Sequence, residues 1–243
     1  MIAPPLARRL AAEGVGTAAL VAVVVGSGIA AQQLSPNDVG LRLLENSTAT
    51  VFGLAVLILI FGPVSGAHFN PAVSLADWLV GRKTRTGLTG GELAAYVAAQ
   101  TAGAITGAVL ANVMFNQSAG QISTHDRVDS GHLIGEIVAT AGLIVLIFAL
   151  VRTGRSALAP VAVAAWIGAA YWFTSSTSFA NPAVTIGRIF TDTFAGIAPA
   201  SAPGFIAAQL IGALLGLGAV ALFYPAPPVA ADDVVVPHRP AAS

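Results

Sequence analysis

Long stretches of this chain are almost wholly apolar, and their lengths predict helices that cross a lipid bilayer. Because about 20 consecutive apolar residues are enough for one crossing, the pattern predicts six spans. They lie at residues 8–31, 42–62, 92–115, 131–151, 157–174 and 203–224. The first stretch is too long for the core of a signal peptide and lacks a convincing cleavage site, so we interpret it as a retained span.

Two shorter apolar segments, 64–80 and 176–191, are interrupted by Gly, Pro and Ser, and we expect them to enter the bilayer without crossing it. Both contain the tripeptide Asn-Pro-Ala, at Asn70-Pro71-Ala72 and at Asn181-Pro182-Ala183. Proline disfavours helix before it and is tolerated in the first helical turn, while asparagine is a favoured N-cap. Each tripeptide therefore predicts the start of a short helix at membrane depth. A simple turn is the alternative for one copy, but two copies within a repeat argue against it.

An internal repeat divides the chain into halves at about 8–115 and 131–224. The run Glu-x-x-x-Thr-Ala occurs at Glu13 and Glu136, and a run of Ala-Ala-Gln with two following glycines occurs at Gln100 and Gln209. In both halves, Asn-Pro-Ala lies between the Glu and the Gln. Since each half has an odd number of spans, the second must be inverted relative to the first. The two Asn-Pro-Ala segments should then approach the midplane from opposite faces.

Composition and charge narrow the possible functions. Hydrophobic residues make up 56% of the chain and charged residues 9%, with a mean hydropathy of +0.80. The formal net charge is zero and cysteine is absent, so there is no basic field for nucleic acid and no disulfide or thiolate chemistry. Lys and Arg are more numerous on the side of the termini, which predicts that both termini are cytoplasmic. That side holds Arg8, Arg9, Arg82, Lys83, Arg85, Arg152, Arg155 and Arg239, against Arg42, Arg127 and Arg188 on the other.

These features resemble the aquaporin, or major intrinsic protein, family over residues 8–224. The resemblance is carried by residues 65–73, by residues 179–183, and by the two Glu and two Gln of the repeat. It implies an all-α channel domain over 1–224, with six transmembrane helices and two re-entrant half-helices, followed by a tail at 225–243. The tail is proline-rich, and we expect it to be disordered. The resemblance also implies a homotetramer in a bacterial plasma membrane, in contact with lipid, that passes water or small uncharged solutes without a cofactor.

Physical reasoning assigns roles to the re-entrant residues. Two half-helices whose positive N-terminal ends face each other at the midplane should repel cations and protons. Asn70 and Asn181 can each donate to a passing water, and non-helical backbone at this depth must line a wet cavity or be buried. A ladder of pore-facing carbonyls is therefore expected at Gly66, Ala67, His68, Phe179 and Ala180. By resemblance, Glu13 and Glu136 accept hydrogen bonds from these loops, with Gln100 and Gln209 nearby, and this structural role is favoured over proton relay.

The narrow filter departs from the family pattern. Aquaporins normally have Arg three residues after the second Asn, where this chain has Val184. Counting from the same anchors places the other filter positions at Thr50, Ala169 and Ser178. These four positions include neither an aromatic nor a charged side chain, so we expect a wider pore that discriminates less between solutes.

Two alternatives remain at the filter. A shift of two residues in the count would replace Thr50 by Phe52 and narrow the pore. Arg188 lies one helical turn beyond Val184, where it either restores a charge near the outer mouth or anchors a loop.

The interpretation we favour is a passive channel for water and small uncharged solutes such as polyols. The wide filter resembles a bacterial branch of the family associated with arsenic resistance, which adds undissociated metalloid acids and methylated arsenicals as candidates. The alternatives are a weakly selective ion pathway and a structural or adhesion protein, although the loop at 116–130 offers little surface for adhesion. No nucleophile, base and orienting group converge, which argues against an enzyme. No ligand spacing around His125 and His132 indicates a metal site.

Overall fold

A computed structural model describes residues 4–82 and 86–225, and within these ranges the chain is built from eight α-helices. They are α1 (Leu6–Leu34), α2 (Val39–Ser65), α3 (Pro71–Gly81), α4 (Gly90–Met114), α5 (Ser130–Arg152), α6 (Ala159–Phe173), α7 (Pro182–Gly187) and α8 (Ala202–Phe223). A 3₁₀ turn precedes α6 and another, Arg188–Phe190, extends α7. The predicted all-α membrane fold is confirmed, because six of these helical segments are long and apolar enough to cross a membrane.

Several spans begin at side chains that cap their first turn. Asp38 Oδ1 accepts from the backbone N–H of Leu41 at 2.8 Å before α2, and Asp129 Oδ1 accepts from that of His132 at 2.8 Å before α5. Before α4, Thr89 and Glu92 form a reciprocal capping box. Such caps satisfy backbone donors that a helix leaves free at its start. They place the helix ends at the polar connections between spans.

Close helix crossing in the first half depends on two glycines of α4. A Cβ atom at Gly103 would lie 2.2 Å from the carbonyl oxygen of Gly14, and one at Gly107 would lie 2.1 Å from that of Ala18. Because neither distance is physically possible, only glycine lets the backbones of α1 and α4 approach this closely.

The second half repeats this crossing between α5 and α8. A Cβ atom at Gly212 would lie 2.5 Å from the carbonyl oxygen of Ile137, and one at Gly216 would lie 2.7 Å from that of Ala141. The glycines that follow Gln100 and Gln209 in the sequence repeat therefore serve the same packing function in both halves.

The two short helices α3 and α7 lie between the spans. With six crossings, α1 begins and α8 ends on the same face, which we call the terminal face, and the opposite one the distal face. The helix α3 leads from Asn70 toward the connection to α4 on the terminal face, and α7 leads from Asn181 toward the connection to α8 on the distal face. The tail at 226–243, together with Lys83, Arg85 and Arg239 of the charge count, lies outside the described residues.

Candidate functional site

Asn70 joins the two re-entrant segments at the centre of the fold. As N-cap of α3, its side-chain oxygen Oδ1 accepts from the backbone N–H of Ala72 at 2.9 Å. Its amide nitrogen Nδ2 donates to the carbonyl oxygen of Ala180 at 2.7 Å. One side chain therefore caps its own half-helix and holds the opposite loop.

Asn181 makes the equivalent contacts from the second half of the chain. Its Oδ1 accepts from the backbone N–H groups of Ala183 at 3.0 Å and Val184 at 3.2 Å, and its Nδ2 donates to the carbonyl oxygen of Phe69 at 2.7 Å. An amide nitrogen has two protons, so after these bonds each asparagine retains one N–H. Both side chains line the central cavity, where this N–H can bind water or a solute hydroxyl.

The backbone preceding each asparagine is held in an unusual conformation. Ala67 and Phe69 have φ of 48°, Ser178 has φ of 51° and Ala180 has φ of 48°. These left-handed values are rare for residues other than glycine and cost about 1–3 kcal/mol each unless surrounding contacts impose them. Two buried carboxylates supply those contacts.

Glu13 binds the first re-entrant loop with both carboxylate oxygens. Oε1 accepts from the backbone N–H of His68 at 2.9 Å and from Ser65 Oγ at 2.6 Å. Oε2 accepts from the backbone N–H of Phe69 at 2.7 Å and from Gln100 Nε2 at 2.8 Å. The carboxylate thus receives four donors and fixes the direction in which this loop presents its carbonyls.

Glu136 binds the second loop in the same way. Its oxygens accept from the backbone N–H groups of Phe179 at 2.8 Å and Ala180 at 2.7 Å, and from Gln209 Nε2 at 2.6 Å. Gln209 Nε2 also lies 2.9 Å from Thr185 Oγ1 in α7. Each Glu–Gln pair therefore connects a span to a re-entrant segment.

The carbonyls predicted to form the pore ladder are not equivalent. That of Ala180 already accepts from Asn70, so only one of its lone pairs is left for a solute. Within the described ranges, the carbonyls of Gly66, Ala67 and Phe179 accept no hydrogen bond. His68 lines the cavity, and its Nδ1 lies 3.0 Å from Ser74 Oγ.

A cavity of about 90 Å³ runs between the spans and past both asparagines. One enclosed water needs about 10–15 Å³, so the cavity accommodates a short file of waters. Its walls are mainly apolar side chains from α1, α2, α5 and α6. The polar groups that line it are Thr50, His68, Asn70, Asp77, Tyr171, Ser178, Asn181 and Arg188.

Hydroxyl groups line the distal end of the cavity, alongside Val184. Thr50 Oγ1 lies 3.3 Å from the Tyr171 hydroxyl. Ser178 is 3% exposed, and its Oγ has no hydrogen-bond partner among residues 4–82 and 86–225. Since a buried hydroxyl without a partner costs about 1–3 kcal/mol, a solute hydroxyl or water at this position would satisfy it.

The sequence count for the filter is wrong at Ala169. This residue is exposed on the outer side of α6 and does not line the cavity, whereas Val163, Ile167 and Tyr171 of the same helix do. Residues four apart share one helix face, while a residue two positions from them points to the other side. The alternative of Phe52 is also excluded, because Phe52 is 68% exposed and Thr50 lines the cavity.

Arg188 lies at the distal end and is 3% exposed. Its guanidinium carbon is 3.4 Å from the centre of the Phe179 ring, and its Nε donates to the carbonyl of Ala195. It also lines the cavity. The two alternatives for Arg188 are therefore not exclusive, since one side chain anchors the loop after α7 and supplies a cavity charge.

Asp77 lies toward the terminal end and was not expected from the sequence. Its Oδ2 accepts from the backbone N–H of Leu88 at 2.8 Å, and the side chain lines the cavity. The available signal was a single acidic residue in the otherwise apolar half-helix 71–81. Across the described part of the chain, no group of three or more His, Cys, Asp or Glu could hold a metal ion.

Comparisons with known proteins identify the family of this chain. The family model "Major intrinsic protein" matches residues 2–180. The aquaglyceroporin AqpS of Rhizobium meliloti is 49% identical over 225 residues, covering 92% of this chain and 94% of that protein. The glycerol uptake facilitator protein of Pseudomonas aeruginosa is 31% identical over 255 residues, covering 88% of each. The X-ray structure of the aquaglyceroporin from Plasmodium falciparum shares the fold, with a TM-score of 0.64 at 20% identity over 89% of this chain and 96% of that one. This chain therefore belongs to the major intrinsic protein family.

Proposed function

We propose that this protein is a passive channel through which water and small uncharged solutes cross a membrane down their gradients. The observation that carries the proposal is one cavity that passes both asparagines between the spans. Each asparagine presents one N–H to that cavity, while Glu13 and Glu136 hold the re-entrant loops whose residues line it. A solute hydroxyl or water can exchange its hydrogen bonds along this path without a large desolvation cost.

The proposed solutes are water, polyols such as glycerol, and undissociated metalloid acids or methylated arsenicals. Val184 stands where aquaporins normally have arginine, so that filter position has no guanidinium, and the guanidinium at the distal end is that of Arg188, four residues further along. The Ser178 hydroxyl can donate to a hydroxylated solute, and the hydroxyls of Thr50 and Tyr171 can accept from it, because Thr50 Oγ1 donates its own proton to the Asn46 carbonyl at 2.9 Å. Similarity to an aquaglyceroporin and to a glycerol facilitator supports polyols as the first solutes to test.

Cations are poorly suited to this pore. The half-helix ends at Asn70 and Asn181 bring positive potential to the midplane, and Arg188 adds a full positive charge toward the distal end. A cation would also leave most of its water behind between apolar walls, which costs several kcal/mol. These features favour a channel for neutral solutes over a weakly selective ion pathway.

The charge bias and the family resemblance support a proposal for the arrangement in the membrane. We propose one channel domain up to residue 224, a homotetramer with one pore in each protomer, and a bacterial plasma membrane in which the terminal face is cytoplasmic. Exposed apolar side chains on the spans, such as Phe52, Ile60 and Leu214, provide surface for lipid or a neighbouring protomer.

Stopped-flow light scattering of vesicles containing the purified protein tests the function directly. Water, glycerol, urea and arsenite are compared at equal protein incorporation, with protein-free vesicles as the control. The proposal predicts that water and glycerol permeabilities rise well above the control. Equal permeability with and without protein for all four solutes would contradict it.

A further inference from the structure

Asp77 and Arg188 occupy equivalent positions in the two halves of the inverted repeat. Each lies seven residues after the asparagine that begins its half-helix. At a rise of 1.5 Å per residue, Asp77 is about 10 Å along α3 from Asn70, and Arg188 lies correspondingly beyond Asn181 in the other half. Among the described residues that line the cavity, these two are the only Asp, Glu, Lys or Arg. The cavity therefore has a carboxylate toward its terminal end and a guanidinium toward its distal end.

The charges that face the cavity midplane and distal end are positive, because the carboxylates of Glu13 and Glu136 lie behind the re-entrant loops, are occupied by donors from those loops and do not line the cavity. The two half-helix ends contribute partial positive charge, Arg188 contributes a full one, and the guanidinium of Arg127 lies 5.4 Å from the ring of Phe179. Helix N-termini and guanidinium groups attract anions. A wide pore with only these charges would repel cations but invite small anions.

Asp77 is placed to oppose such anions. Asp77 is 5% exposed, and its Oδ2 accepts from the backbone N–H of Leu88. Burial disfavours the ionised carboxylate, and this hydrogen bond opposes that effect. Its Oδ1 accepts no hydrogen bond from any residue in 4–82 or 86–225. Arg9 and Glu92, whose charges act on Asp77, form an ion pair with each other at 2.9 Å, and neither lines the cavity. With apolar walls around it, this carboxylate is weakly screened.

We propose that Asp77 is a specificity-determining residue that excludes anions from the terminal end of the pore. An anion that is tolerated near Arg188 must still pass the Asp77 carboxylate, and a cation that approaches Asp77 must still pass the half-helix ends and Arg188. Only an uncharged solute is repelled neither by the Asp77 carboxylate nor by the positive groups at the midplane and distal end. The inference rests on the proposed function as a channel for such solutes.

Anion flux in vesicles tests this role. Asp77→Asn removes the charge but keeps an oxygen that can accept from Leu88, so the loop contact is retained. Chloride and nitrate entry is followed with an encapsulated halide-sensitive dye, and water and glycerol permeabilities are measured on the same vesicles. We expect anion permeability to rise at least tenfold in Asp77→Asn, with water and glycerol within twofold of the parent.

Three further variants make the result specific to the charge. Asp77→Glu keeps the carboxylate and should exclude anions like the parent. Glu92→Gln removes a nearby negative charge that does not line the cavity, and should not admit anions. Val151→Asp in the Asp77→Asn background places a carboxylate on another residue that lines the cavity near the end of α5, and should restore exclusion.

The outcomes separate this proposal from the function it rests on. If the parent passes water and glycerol but Asp77→Asn excludes anions equally well, the anion barrier is wrong and the channel function stands. If the parent passes no neutral solute, the channel function itself is wrong. If Asp77→Asn does not incorporate, Asp77→Ser with the same Val151→Asp rescue replaces it, and unchanged anion exclusion in Asp77→Ser overturns the proposal.

Discussion

Asn70 and Asn181 each donate to the carbonyl immediately before the other: Asn70 Nδ2 binds Ala180 O and Asn181 Nδ2 binds Phe69 O, both at 2.7 Å. The same side chains cap the two half-helices through their oxygens. The ends of both half-helices are therefore fixed relative to each other by one pair of amides.

Removing one of these amides should weaken both the helix cap and the link between the halves. Asn181→Ala leaves the Phe69 carbonyl without its donor and two backbone N–H groups of α7 without their acceptor. The lost cap costs about 0.5–2 kcal/mol, and the buried carbonyl about 1–3 kcal/mol more. Thermal unfolding in detergent and water permeability in vesicles should both fall. Asn37→Ala, at an exposed loop position, is the control and should leave both unchanged.

Glu136→Gln tests how strongly the carboxylate holds the second loop. The substitution keeps the size of the side chain but turns one acceptor oxygen into a donor, so one of the N–H groups of Phe179 and Ala180 loses its partner. We expect about 1–3 kcal/mol of destabilisation and a loss of permeability for every solute. Glu45→Gln, which alters a single hydrogen bond from Ser35, provides the comparison in thermal unfolding. Equal melting temperatures for the two variants would contradict the role of Glu136.

Selectivity should change when the missing arginine is restored. Val184→Arg narrows the distal end, so glycerol and methylated arsenical fluxes should fall more steeply than water flux. The added positive charge should not raise cation leak. Val184→Ala removes volume and should retain or increase the flux of bulky solutes. If both variants match the parent for every solute at equal incorporation, Val184 does not contribute to the filter.

The two sides of α6 should respond oppositely to a bulky residue. Ile167 lines the cavity, and Ile167→Trp should reduce glycerol permeability by tenfold or more. Ala169 lies on the exposed side of the helix, and Ala169→Trp should leave glycerol permeability within about twofold of the parent. Stopped-flow measurements on the two variants decide between the structural position and the position obtained by counting residues.

Two glycines of α8 should differ in the sign of their effect on stability. A Cβ atom at Gly216 would lie 2.7 Å from the carbonyl of Ala141, whereas one at Gly218 would meet nothing within 4 Å. Gly218→Ala should stabilise the protein by up to about 1 kcal/mol through helix propensity. Gly216→Ala should destabilise it, because α5 and α8 must move apart. Thermal unfolding of both variants in one detergent provides the comparison.

The sequence predicted the architecture well because membrane spans leave strong signals. Six apolar lengths and a repeat carried by Glu, Asn and Gln were sufficient for the fold, and observed helices such as α1 extend only a few residues beyond the predicted limits. Members of this family are channels and not enzymes, so that expectation is also confirmed. Side-chain directions were harder to predict. The connection from α6 to Asn181 is irregular, so a position in α6 found by counting back from Asn181 can be wrong by two residues. An error of two residues selects Ala169 on the exposed face of α6 instead of a residue on the cavity face.

Asp77 and Tyr171 were missed for different physical reasons. Tyr171 follows a run of small residues in α6, and only the packing of that helix shows that its hydroxyl approaches Thr50. Asp77 interrupts an apolar half-helix, which is a readable signal, but its position seven residues after Asn70 acquires meaning only when Arg188 is seen in the cavity. Residues at equivalent positions of an inverted repeat can be paired with a function only when the structure shows where both halves place them.

The reciprocal bonds between the asparagines also bear on how the protein is assembled. The N-terminal half is synthesised first, and until the second half docks, Asn70 Nδ2 and the Phe69 carbonyl lack their partners at a depth where water is scarce. An unsatisfied polar group there costs several kcal/mol. Neither half can therefore complete its own part of the conduit in advance. The docking of the two halves and the opening of a continuous path through the membrane should be one and the same event.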